Sequence, residues 1–181
     1  MKSFALSLAL VLAACGSGEA QVSNHSEASR TSLELTGRLV DQAKLFDVAR
    51  ARALEQRLAK LEQQTKDQLV VVSVPSLGGQ PIDQFAMSLG NRWGIGRADV
   101  DNGVLMLIAP SERKIWISVG TGLEGLLTNQ RTQGIVDRML PEFSRGDLPA
   151  GIERGVGEIE QALITDKRRP QRIAEPARKA A

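Results

Sequence analysis

The sequence GVLMLIAPSERKIWISVGTGLEG, residues 103–125, contains the pattern that decides the fold. Residues 104–109 form a continuous apolar run, which is typical of a strand covered on both faces of a sheet. After the turn sequence APSER, Lys114–Val119 alternates isoleucine and valine with other residues, as expected for a second strand. The two runs therefore predict a β-hairpin over about residues 103–119.

Segments on either side of the hairpin alternate between strand and helix patterns. A β-branched run at residues 68–74 predicts another buried strand. Apolar residues at helical spacing predict four helices, and we expect Pro141 to end the third, because proline cannot donate the backbone bond of a continuing helix. The predicted helices cover about residues 48–65 after the cap Asp47, residues 82–93 after Pro81, residues 128–140 with Thr128 as cap, and a last segment begun by Asp147 and Pro149.

Three glycines after the hairpin, Gly120, Gly122 and Gly125, have the G-x-G-x-x-G spacing of dinucleotide-binding proteins. Such a site requires the turn to lie between parallel strands, with an acidic residue on the second strand. Here the preceding strand belongs to a hairpin, and residues 128–164 have helical patterns. We therefore predict no nucleotide cofactor and interpret the glycines as a loop in which neighbouring backbones approach closely.

Charge is distributed unevenly along the chain. The net charge of +2 combines a net −2 over residues 33–165 with a net +4 over residues 166–181. The positive excess lies in a proline-interrupted segment without aromatic residues, so the composition does not indicate nucleic-acid binding. We predict that residues 166–181 are a basic, disordered tail, either simply solvated or in weak contact with anionic headgroups or an acidic partner.

The first fifteen residues predict export and lipidation. Lys2 precedes an apolar stretch too short to span a bilayer, and small residues lead to Cys15, the only cysteine. This pattern is typical of a bacterial lipoprotein signal, although a plain secretory signal with an incidental cysteine is the alternative. Residues 16–35 are predicted to be a flexible tether. We expect a lipid-anchored protein on the periplasmic face of the cell envelope, and Gly16 favours the outer over the inner membrane in a Gram-negative cell.

Candidate chemistry is restricted to carboxylates. The only histidine, His25, lies in the predicted tether, so no Ser–His or Cys–His pair is available within the domain. Asp99, Asp101 and Asn102 precede the first hairpin strand, and Glu124 follows the second. Because the entry and exit loops of a hairpin lie side by side, Asp99, Asp101 and Glu124 are expected to converge, and such oxygen ligands suit hard cations. An alternative is a turn in which the Asp and Asn side chains bind the backbone.

Five motifs in register resemble the TPM domain, a family of bacterial envelope proteins and of thylakoid proteins linked to photosystem II repair. The resemblance covers about residues 36–165. Each motif is short, but their order and spacing match over nearly the whole predicted domain. The motifs are GRLVD (37–41), WGIG (93–96), DNGVL (101–105), VGTGLEG (119–125) and PEF followed by GD (141–147).

The resemblance implies a three-layer α/β/α sandwich around a small mixed sheet, with a divalent cation, Ca²⁺ or Mg²⁺, at the loops. Family members often have Asp where this chain has Asn129, a change that weakens any cation or acid–base role there. The ligands that the resemblance implies are Asp101, Asn102 and Glu124, with Asp99 and Asp41 as further candidates, and the loop glycines are Gly94, Gly96, Gly103, Gly120, Gly122 and Gly125.

Three hypotheses for function follow from the resemblance. The first is a membrane-anchored, cation-binding interaction module that assists the assembly or maintenance of membrane proteins by binding an envelope protein. The second is a metal-dependent acid phosphatase, in which Arg97 or Arg113 would stabilise the developing charge. The third is a purely structural domain whose glycine loops hold no metal.

Overall fold

The computed structural model describes residues 33–168 and residue 170. The described helices and strands all lie within residues 34–181. The predicted lipidation site at Cys15, most of the predicted tether and most of the predicted tail lie outside the described residues, so they stay predictions. In the part of the chain that the structure describes, no helix is long and apolar enough to cross a bilayer.

Four strands form one mixed sheet, in the order β1-β2-β3-β4. β1, β2 and β3 are parallel, and β4 pairs with β3 as the predicted antiparallel hairpin. This confirms the α/β class and the hairpin. The elements are β1 (Leu39–Asp41), α1 (Val48–Thr65), β2 (Gln68–Ser73), α2 (Ile82–Trp93), β3 (Gly103–Ala109), β4 (Lys114–Val119), α3 (Asn129–Ser144) and α4 (Leu148–Ile164).

The helices cover both faces of the sheet. Leu69 and Met106 point into a core that also contains buried residues of α1, α3 and α4. The alternate residues of the strands, such as Val70 and Leu107, are equally buried but lie outside that cluster, and α2 contacts β3 and β4. Helix α2 therefore packs on the opposite face, which gives the three layers that the family resemblance implies.

The crossovers differ in hand. β1, β2 and β3 follow one another across the sheet in one direction, while α1 and α2 lie on opposite faces. Two crossovers that advance in the same direction on opposite faces have opposite hands, so one of them has the uncommon left-handed sense. Nothing in the hydrophobic pattern of the sequence signals this arrangement.

Three helices begin at the predicted caps. The side chains of Asp47, Thr128 and Asp147 each accept a hydrogen bond from the backbone N–H three residues later. These caps satisfy amide groups that a helix start would otherwise leave unpaired. Local sequence therefore fixes where α1, α3 and α4 begin.

The expectation that Pro141 ends α3 is wrong. The helix continues to Ser144, with Pro141 inside it. The last turn is held by tertiary contacts: Glu142 is buried and binds Arg154 of α4, and Phe143 packs closely over Gly151. These contacts stabilise the last turn of α3, which is weakened because Pro141 has no backbone N–H to donate.

Candidate functional site

Two glycine-containing loops meet at the amino ends of β2 and β3. We call residues 94–103 and 120–127 the amino-end loops. The Gly120 amide donates to the carbonyl oxygen of Gly103 at 2.8 Å, and the Gly122 amide donates to that of Asp101 at 3.0 Å. The entry and exit loops of the hairpin therefore lie side by side, as the strand pattern predicts.

Most of the loop glycines are needed because another backbone lies where a side chain would be. A Cβ on Gly96 would lie 2.5 Å from the Gly103 nitrogen, and a Cβ on Gly122 would overlap the carbonyl oxygen of Val100. Gly94 differs, since the space around it is open and its φ of 60° provides the left-handed cap that ends α2. The G-x-G-x-x-G spacing thus reflects close packing of loops.

Asp101 joins the two loops. Its φ is 50°, a conformation that Asp adopts more readily than most residues. One carboxylate oxygen accepts hydrogen bonds from the backbone amide of Thr121 at 2.8 Å and from its hydroxyl at 2.9 Å. The second oxygen, Oδ1, makes no hydrogen bond with the described residues, so it is available to a ligand.

Asn102 is a buried bridge between the amino-end loops and the end of α1. Its Oδ1 accepts from the Arg97 amide at 3.0 Å. Its Nδ2 donates to the Lys66 carbonyl oxygen at 2.7 Å and to the Asp67 carboxylate at 2.9 Å. With 0% exposure and three protein partners, this side chain has a complete structural role.

The remaining predicted ligands at this end of the sheet are exposed. Asp99 forms an ion pair with Arg97 at 2.6 Å, and both side chains are about half exposed. Glu124 is exposed and makes no hydrogen bond with the described residues. The structure therefore brings Asp99, Asp101 and Asn102 together, beside the loop that carries Glu124.

Asp41 lies at the other end of the sheet. It pairs in register with Ser73, which pairs with Ile108, whereas the amino-end loops adjoin Gly103. Five strand residues separate the two levels, or about 17 Å. The Asp41 carboxylate accepts from the Leu45 and Phe46 amides and from the Ser73 hydroxyl. It cannot share a cation with Asp101.

The donor set fits a divalent cation only in part. Within residues 33–168 and 170, no group of three or more His, Cys, Asp or Glu side chains could hold a metal ion. Calcium usually takes six to eight oxygen ligands, and Asp101 and Glu124 are the candidates whose carboxylates are not fully engaged. Most ligands of a cation here would have to be main-chain oxygens or water.

Two buried acidic residues near this end were not predicted. Asp67 is fully buried and accepts from Asn102. Asp166, whose side chain is 2% exposed, accepts from the Arg168 amide, and the Arg168 guanidinium lies against Gly125. The described residues thus reach Arg168, three positions beyond the predicted domain end at residue 165. The only sequence signal for Asp67 is a charged residue directly before a buried strand.

Two carboxyl groups with shifted pKa values lie away from the amino-end loops. The hydrogen bond from the Ser76 hydroxyl lowers the pKa of Glu112, which lies in the turn between β3 and β4. The hydrogen bond from Arg154 lowers the pKa of Glu142. A general acid at neutral pH requires a raised carboxyl pKa, so neither group is suited to that role.

Comparisons with known proteins give one family. The family model described as "TPM domain" matches residues 39–162. The comparison with curated proteins gave no significant match.

Among the solved structures with the same fold are proteins from three bacteria. The solution structure of the N-terminal domain of a protein from P. gingivalis is 31% identical, with a TM-score of 0.66, and the match covers 71% of this chain and 82% of that domain. The N-terminal domain of the cg2496 protein from Corynebacterium glutamicum is 13% identical (TM-score 0.57, 74% and 84% covered). The BA42 protein from Bizionia argentinensis is 16% identical (TM-score 0.58, 74% and 86% covered). At these identities the last two comparisons show the fold alone.

Proposed function

The chain belongs to the TPM domain family, and from that premise we propose that it is a binding module of the cell envelope whose amino-end loops recognise a partner protein. Lipidation at Cys15 would attach it to the membrane, and residues 16–35 would tether the domain. Its task on this proposal is to assist the assembly or maintenance of membrane proteins.

The observation that carries the proposal is the way in which Asp101 fixes the amino-end loops. Its carboxylate binds Thr121 and its carbonyl oxygen binds Gly122, so the two loops have one relative position. Binding to a rigid surface costs less conformational entropy than binding to loops that must first become ordered. Around this joint, Arg97, Asp99 and Glu124 are exposed and present both signs of charge. Such a surface supports recognition of a polar protein surface.

A cation is a separate part of the proposal. If Ca²⁺ or Mg²⁺ binds, Asp101 Oδ1 and Glu124 are the side chains that would hold it, with Asp99 only if its ion pair with Arg97 opens. The cation would then link the two loops a second time. Recognition of the partner does not require it, because Asp101 already joins the loops.

The phosphatase alternative has less support. Arg97 pairs with Asp99, and Arg113 lies in the turn between β3 and β4, at the far end of the sheet. The carboxyl groups with shifted pKa values shift down, which does not suit a general acid. We therefore favour binding over phosphomonoester hydrolysis.

Site-specific photo-crosslinking in cells tests the proposal. A benzoylphenylalanine is placed at Glu124 in the full chain, and at Ala53, an exposed position of α1, as the matched control. We expect one envelope protein to crosslink at Glu124 and not at Ala53, and Asp101→Ala to abolish that crosslink by releasing Thr121. Equal labelling from both positions would contradict the proposal.

A titration of the full chain tests separately whether a cation binds and whether the domain hydrolyses phosphomonoesters. Ca²⁺ and Mg²⁺ are added while the amide signals of Gly103 and residues 122–125 are followed, and phosphomonoester turnover is measured on the same sample. Unchanged signals would contradict the cation. Turnover that is lost in the Asp101→Ala, Glu124→Ala double variant would favour the enzyme instead.

A further inference from the structure

The two edges of the sheet differ in how they meet solvent. β1 has three residues, and just before and at its start the Glu55 carboxylate accepts from the Arg38 amide at 3.0 Å and the Leu39 amide at 2.7 Å. β4 has six residues and pairs only with β3. The edge at β1 is therefore short and capped, whereas the edge at β4 is long.

The register of the hairpin identifies the free groups of β4. Gly120 donates to Gly103, so the pair 103–120 is hydrogen-bonded, and bonded pairs then alternate along the ladder. The N–H and C=O groups of Ile115, Ile117 and Val119 consequently point away from β3. Within the described residues these groups have no hydrogen-bond partner.

β4 also lacks the usual protection of an edge strand. Edge strands are commonly blocked by proline, bulges or charged side chains. Here Lys114, the first residue, is the only charged residue of the strand, and the register with β3 is continuous. The Trp116 side chain, on the same face of the sheet as that of Leu107, is 40% exposed. Within the described residues the edge thus has no paired strand, and Ile115 and Val119 are half-buried while Ile117 is 6% exposed.

We propose that β4 pairs with β4 of a second copy of this chain, in an antiparallel two-fold arrangement centred on Ile117. In this register Ile115 pairs with Val119 of the second copy, and Ile117 pairs with Ile117 of the second copy. These three pairs form about six main-chain hydrogen bonds, two for each narrow pair. The two four-stranded sheets become one continuous sheet.

The side chains of β4 are self-complementary in the same register. Trp116 lies opposite Ser118 of the second copy, and the apolar residues 115, 117 and 119 continue one apolar face across the junction. Lys114 lies opposite Gly120, so the two lysines are at opposite ends of the paired strands and do not repel each other. This complementarity favours a second copy over an unrelated extended segment. The inference does not depend on a cation or on the proposed partner of the amino-end loops.

Amide hydrogen exchange of the full chain in detergent, measured over a range of protein concentrations, tests this pairing. We expect exchange at Ile115, Ile117 and Val119 to slow by about tenfold as the average mass, followed by sedimentation, rises from one chain towards two. Exchange at residues 116 and 118, which already bind β3, should not depend on concentration.

Two variants block the edge and one serves as the matched control. Val119→Pro removes only an outward donor, and Trp116→Lys places a charge beside the edge. Val48→Lys changes an apolar residue that is 70% exposed, at the start of α1, the helix that contacts β1 and β2. We expect the dimer dissociation constant to rise by about tenfold or more in the first two and to stay within about twofold of wild type in the third.

Each other outcome overturns the proposal. A wild-type chain that stays monomeric at all concentrations has no such interface. A dimer that persists in Val119→Pro uses another surface. Protection of the outward amides only when a different protein is added means that an extended segment of that protein, and not a second copy, occupies the edge.

Discussion

At the amino ends of β2 and β3 the loops are joined through closely packed glycines, a buried amide and the Asp101 carboxylate, whereas at the carboxyl ends carboxylate side chains hold the loops. We call residues 42–47, 74–81 and 110–113 the carboxyl-end loops. Asp41 binds the first of them through the Leu45 and Phe46 amides, and Glu112 binds the second through the Ser76 hydroxyl and the Leu77 amide. Asn102, by contrast, is neutral and fully buried.

The difference has a physical consequence. Where two loop backbones are in close contact, a glycine cannot be replaced by a residue with a Cβ, because a backbone cannot move aside as a side chain can. Loops fixed by carboxylates tolerate changes in volume but depend on charge, and therefore on pH. Steric substitutions should thus act most strongly at the amino end, whereas loss of a carboxylate should loosen the loops at whichever end it holds.

The largest effect is expected from Gly122→Ala. Its new Cβ would overlap the carbonyl oxygen of Val100, so we expect a loss of about 3 kcal/mol in the free energy of unfolding. Gly90→Ala is the matched control, since Gly90 lies within α2 with open space around it and should gain about 1 kcal/mol. Urea unfolding of the full chain measures both. Equal stabilities of the two variants would contradict the close packing of the loops.

Asn102→Ala should cost about 2 kcal/mol, because Asp67 and the Arg97 amide lose a buried partner. Asp99→Ala removes only an exposed ion pair and should cost less than about 0.5 kcal/mol. Both are measured with excess Ca²⁺ and with a chelator. An Asn102→Ala cost that disappears in chelator would show that Asn102 acts as a ligand and contradict its structural role.

Asp41→Ala should cost about 1.5 kcal/mol through the loss of charge-assisted bonds to the Leu45 and Phe46 amides. Amide exchange provides the sharper measurement. Exchange should accelerate at Leu45 and Phe46 and stay unchanged at Gly120 and Gly122, at the other end of the sheet. Acceleration at both ends would mean that the two loop sets are coupled.

The smallest effect is expected from mild acid. Arg154 lowers the pKa of Glu142, so the stability that this carboxylate provides is present above its unfolded pKa of about 4.3 and is lost as pH falls through the lower folded value. Stability should therefore fall less steeply below pH 4 in Glu142→Gln than in wild type. Unfolding curves from pH 6 to pH 3 measure this, with Gly90→Ala, which has open space around it and touches no carboxylate, as a control that should keep the wild-type slope.

Local signals in the sequence predicted much of the fold. The caps Asp47, Thr128 and Asp147 and the hairpin strands lie where the pattern places them, because capping and strand alternation depend on neighbours in the chain. β1 was found only as a family motif, since three residues are too few for a periodic pattern. The prediction that α3 ends at Pro141 is wrong because the contacts that extend the helix come from α4.

The candidate site was predicted less completely. The hairpin topology correctly brings Asp101 and Asn102 beside the loop of Glu124, since adjacent strands place their connecting loops together. It could not show that Asn102 is fully engaged by Lys66, Asp67 and Arg97. Hydrogen-bond partners distant in the chain leave no pattern in the sequence around either residue.

By itself, the sequence determined the α/β class, the hairpin and the need for glycine after it, because propensity, capping and close turns are local properties. Only the tertiary structure decided that Asp41 lies at the far end of the sheet, that α1 and α2 cover opposite faces, and that one edge is capped while the other is open. These features depend on which strands become neighbours, and that choice is made by burial of the whole core.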